Sequence, residues 1–105
     1  MKLLITYKKS GKGMIVAYSL VTECGIVKYY VHNFAYFDTE NAVKYVVDQI
    51  IGYDVSVMSD NNKIINVFKN MNVDNEKTKL VHFKVNNEQV NIIFNKLHAI
   101  INGDD

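Results

Sequence analysis

Residues 54–71, DVSVMSDNNKIINVFKNM, decide how the chain is read. Val55 and Val57 alternate with Ser56 and Met58, the period of a short strand. Ser59 and Asp60 follow, and then Ile64, Ile65, Phe68 and Met71 recur at helical spacing. A carboxylate therefore stands at the end of an apolar strand, immediately before a helix. A second stretch, NIIFNKLHAI at 91–100, belongs to a last helix with the stripe Val90, Ile93, Phe94, Leu97 and Ile101. It carries Asn95 where a partner carboxylate would be wanted.

Working outward, residues 2–8 (KLLITYK) form an apolar β-rich run, and Gly11 and Gly13 mark the turn after it. Residues 14–22 (MIVAYSLVT) are a second strand, ECG at 23–25 is a tight turn with Gly25 free to take positive φ, and residues 26–34 (IVKYYVHNF) are a third strand. Asp38 or Thr39 can cap a helix on which Ala42, Val43, Val46, Val47, Ile50 and Ile51 recur, and Gly52 ends it. NVDNEKTK at 72–79 reads as a polar loop, LVHFKV at 80–85 as a fifth strand, and Asn86 or Asn87 as the cap of the last helix. The GDD tail is expected to fray. The order is β-β-β-α-β-α-β-α. Right-handed crossovers then predict a five-stranded mixed sheet in the order 3-2-1-4-5, with helices on both faces.

The 105 residues make one domain. With 49% hydrophobic and 22% charged residues the balance is globular. Cys24 is the single cysteine, so no internal disulfide can form; this suits a reducing compartment, and a cytoplasmic location is expected. No apolar run has the length of a signal peptide or a membrane span. The net charge of +1 exerts no global pull on nucleic acid or anionic lipid. All basic residues are lysines, so recognition by a guanidinium fork is excluded. The abundance of asparagine, lysine, isoleucine and tyrosine reads as the codon bias of an AT-rich genome.

The element order resembles the ribonuclease H-like fold, and the two opening segments carry that resemblance beyond topology. In that family the fourth strand ends in Ser-Asp or Thr-Asp before an apolar helix, as in VSVMSDNNKIINVFK here. Its last helix carries Asn, a small residue, Asp and then Leu, where this chain has NIIFNKL at 91–97 with Asn95 at the Asp position. The resemblance implies four carboxylates holding two Mg²⁺ ions about 4 Å apart for in-line phosphoryl displacement. Position by position, most are missing. The first strand offers Thr6 and Tyr7 where an aspartate is expected. Glu40 is a plausible helix carboxylate, although Lys44 competes for that alignment. Asp60 matches, and Asn95 is neutral. The site reads as dead, with Asp60, Glu40 and Asn95 as its relics.

Simpler roles are preferred for each relic. Ser-Asp ahead of a helix is a common capping pair worth about 1 kcal/mol, so Asp60 is expected to cap the helix that follows. Glu40 would complement the helix dipole, and Asn95 would be a half-exposed polar residue. His32, His82 and His98 show no metal-ligand spacing. Cys24 has no evident base to make it a nucleophile. KKSGKG at 8–13 lacks the pattern of a phosphate loop and reads as a solvated turn, although Lys8, Lys9 and Lys12 could touch a phosphate backbone.

The third strand shows a different signal. Lys28, Tyr30, His32 and Phe34 share one face, and Val27, Tyr29, Val31 and Ala35 the other. As an edge strand without proline and with one lysine, it is poorly protected against pairing, so it could dimerise or take up a partner strand. The expectation is a catalytically inactive binding protein that acts through a protein partner. Size and composition suggest a small phage or mobile-element protein that blocks a host factor such as a defence nuclease. Two alternatives stand beside it: a Mg²⁺-dependent nuclease using Asp60, Glu40 and Asp38, and a non-catalytic nucleic-acid binder using Lys8, Lys9, Lys12 and the aromatics Tyr30 and Phe34.

Overall fold

The computed structural model describes residues 1–50, 53–71, 78–82 and 88–103. The chain begins with an antiparallel meander, β1 (Lys2–Ser10), β2 (Gly13–Val21) and β3 (Val27–Phe34). Then come α1 (Thr39–Ile50), β4 (Val55–Ser59), α2 (Asn62–Asn70), β5 (Thr78–His82) and α3 (Glu88–Ile101). The sheet runs β3-β2-β1-β4-β5, with β1 parallel to β4 and β4 parallel to β5.

Side-chain alternation along the central strands divides the core. Leu3, Ile5, Met14, Val16 and Tyr18 join Ala42, Val43 and Val46 of α1 and Ile64 and Phe68 of α2 on one face. Leu4 and Ala17 meet Val90, Ile93, Phe94, Leu97 and Ile101 of α3 on the other. A strand residue and its neighbour thus feed different clusters, which is why both Leu3 and Leu4 are fully buried.

Two element boundaries differ from the sequence expectation. The first hairpin continues through Lys9↔Met14 and Ser10↔Gly13, because cross-strand pairing carries the ladder into polar residues. The fifth strand begins at Thr78 rather than Leu80, since Thr78 and Lys79 find parallel partners in Val55 and Ser56. The expected stops and caps at Gly52, Asn86 and Asn87 lie outside the described residues. Gly25 takes φ 85° at the turn before β3. Gly13 is required for another reason: a Cβ there would lie 2.0 Å from the carbonyl oxygen of Phe34. The chain leaving β3 is held against the hairpin at that point, where Phe37 N–H donates to the Lys12 carbonyl at 2.8 Å.

Candidate functional site

β4 ends beside β1, in register Ile5↔Ser59. Ser59 is fully buried, and its hydroxyl donates to the Ile5 carbonyl at 2.8 Å, closing the seam between the two strands. The same oxygen accepts from Asn61 N–H at 3.1 Å. Asn61, in extended conformation, caps α2 by accepting from Lys63 N–H at 2.9 Å. The expected cap is therefore displaced by one residue. Asp60 does not cap α2, because Asn61 occupies the N-cap and Asp60 points to the face covered by α3.

There it meets His98, whose Nε2 donates to Asp60 Oδ2 at 2.6 Å. The Asp60 side chain is 24% exposed and that of His98 44%. The pair sits at the carboxyl end of a parallel strand, where open α/β sheets characteristically place their ligands. Asn95 is exposed one turn earlier on α3, and it is His98 that reaches the aspartate. Thr6, 2% exposed, occupies β1 where the resemblance asks for a carboxylate. Glu40 is exposed in the first turn of α1, across the sheet from α3. Asp38, offered as an alternative ligand, caps α1 by accepting from Asn41 N–H at 3.1 Å. Among the described residues no three His, Cys, Asp or Glu side chains come together to hold a metal ion. The described residues at this strand end do not fit a two-metal centre: they supply one carboxylate, Asp60, already bonded to an imidazole.

The lysines of the hairpin do not form a common site. Lys8 Nζ donates to Asn102 Oδ1 at 3.1 Å on the α3 side. Lys9 lies over the Phe37 ring, 5.6 Å from its centre, and Lys63 approaches the same ring at 5.3 Å. Tyr7 packs beside Phe37 at 5.7 Å, while Lys12 is exposed at the turn. Two lysines and a tyrosine thus gather around Phe37, a residue the sequence reading did not single out.

The aromatic face of β3 is brought together. Tyr30 stacks on Tyr18 with ring centres 5.0 Å apart. His32 stacks on Tyr45 at 4.4 Å and meets the edge of Phe34 at 4.5 Å. Tyr45, from α1, completes a cluster that strand alternation alone could not reveal. Burial pushes the Tyr18 hydroxyl's pKa up from its ordinary value, and the nearby Tyr45 and Tyr30 phenols add to the effect. On the other face of β3, Val27, Tyr29 and Val31 remain exposed, and Val27 and Tyr29 line a shallow groove with Ile92 of α3.

No family model matches the chain, and no curated protein matches its sequence. Among solved structures it is similar to the catalytic core domain of BIV integrase, with a TM-score of 0.51 and 18% identity. The match covers 92% of this chain and 63% of that one, so the chain spans less than two thirds of its neighbour's length. The likeness is one of fold: that core is ribonuclease H-like, a mixed α/β sheet covered by helices.

Proposed function

We propose that this chain is a catalytically inactive ribonuclease H-like protein that works by binding another protein. The observation carrying the reading is the Asp60–His98 pair. A ribonuclease H-like nuclease needs the carboxylate at the end of the fourth strand free to hold a metal beside other carboxylates. Here its Oδ2 is engaged by an imidazole, Thr6 fills the strand-1 position, and Asn95 brings no charge. The exposed third strand supplies a surface for protein contact. A composition that reads as the codon bias of an AT-rich genome supports a phage or mobile-element origin, with a host factor such as a defence nuclease as the target.

The test is cleavage of an RNA–DNA hybrid and of single- and double-stranded DNA with Mg²⁺ or Mn²⁺. No turnover above background is expected. Metal-dependent cleavage abolished by Asp60→Asn would establish the nuclease alternative, with Mg²⁺ as its cofactor, and end this reading.

The lysines and aromatics around Phe37 favour one second reading, a non-catalytic nucleic-acid binder. It requires binding whose affinity falls steeply with salt and weakens in Lys9→Ala and Lys63→Ala. Retention of a host protein, with no retention of nucleic acid, would favour the first.

A further inference from the structure

β3 ends the sheet, and among the described residues no strand pairs with its outer side. It is eight residues long and carries one charged side chain, Lys28, and no proline. Natural edge strands are usually blunted by charge, proline, bulges or a covering segment. This one is flanked by apolar surface: Ile26 is 56% exposed, Val31 51% and, from α3, Ile92 59%. The chain's net charge of +1 opposes self-association only weakly.

We propose that the occupant of this edge is a second copy of the chain, paired antiparallel through β3 about a two-fold axis at Val31. The two five-stranded sheets would then form one continuous sheet. A two-fold axis perpendicular to a sheet keeps each face on its own side, so residues pair at equal distances from the axis. Centred on Val31, the register sets Val31 against the partner's Val31 and Tyr30 against the partner's His32. Tyr29 meets the partner's Asn33, and Lys28 meets the partner's Phe34. The one charge on the strand thus faces an aromatic ring, and the two lysines lie at opposite ends of the junction. Centring one residue earlier would set Lys28 against the partner's His32, a poorer match for a cation. The edge is therefore self-complementary in the Val31 register, which argues for a copy of itself over a foreign strand.

The inference rests on the reading of this chain as a binding protein only in using the same surface. Their failures are separable, because nuclease activity tests one and self-association the other. Sedimentation equilibrium of the full chain over a wide concentration range should give a monomer–dimer equilibrium. Val31→Lys sets like charges opposite one another and should weaken it about tenfold or more, with the circular dichroism of the fold unchanged. In a Cys24→Ser background, mild oxidation should cross-link Val31→Cys, whose two thiols would face each other at the axis, and leave Tyr30→Cys largely unlinked. A chain that stays monomeric at the highest concentration, or cross-linking of Tyr30→Cys in preference to Val31→Cys, would overturn the proposal.

Discussion

At the residue scale, Asp60 shows what a sequence can and cannot place. Its position at the end of the fourth strand was legible, because alternation in DVSVM fixes where that strand stops. Its partner was not. His98 lies three residues beyond Asn95, and nothing local ties it to a strand end 38 residues away. Only the packing of α3 across β1 and β2 brings the imidazole over the carboxylate. Likewise, three polar residues, Ser59, Asp60 and Asn61, compete for one cap, and the winner depends on Ser59 being claimed by the β1 seam. The partly exposed Asp60–His98 pair should contribute about 0.5–1 kcal/mol. A double-mutant cycle of Asp60→Asn and His98→Ala in urea should give a coupling of that size, and additive effects would show that the pair is not formed in solution. Tyr18 offers a pH test. Its pKa is raised in the fold, so its contribution to stability is complete below its ordinary value of 10.0. Above that pH the unfolded phenol loses its proton first, and stability should fall until the folded form titrates too. Ultraviolet titration should show a late-ionising phenol that Tyr18→Phe removes, and the same substitution should flatten the alkaline loss.

At the scale of elements, the tight fit between the first hairpin and the exit from β3 is the most exacting contact. Gly11 and Gly13 both read as turn residues, yet their roles differ. Gly11 takes φ 59° with open space around it, whereas Gly13 is needed because the backbone at Phe34 and Ala35 passes close by. Gly13→Ala should therefore destabilise the fold by about 1–3 kcal/mol, read from the urea midpoint. A neutral effect would mean that the two segments part easily. The aromatic cluster marks the limit of reading by element. Tyr30, His32 and Phe34 were legible as one face of β3, but Tyr45 comes from α1 and enters only when that helix is laid on the sheet.

At the scale of the whole molecule, element order was readable because periodicity switches cleanly between 2 and 3.6 along the chain. The division of the core into two clusters follows from it, one beneath α1 and α2 and one beneath α3. Because every central strand contributes to both, the clusters should melt together. Phe68→Ala should cost about 3–5 kcal/mol and Leu97→Ala about 2–5 kcal/mol. Each should lower a single transition, seen alike by near- and far-ultraviolet circular dichroism. Separate transitions would mean that α3 detaches as its own unit.

The placement of β1 also governs the order in which the fold can be built. β1 finds one neighbour within a short turn, since Ser10 already pairs with Gly13, but its other neighbour must come from residues 55–59. During synthesis the meander can close while the far side of β1 is still bare, and it stays so until β4 has left the ribosome. At chain growth of about 5–20 residues per second, that interval lasts a few seconds. Through it β1, a central strand of the finished sheet, stands as an open apolar edge, so slow translation between α1 and β4 would raise the yield of mispaired or captured chains.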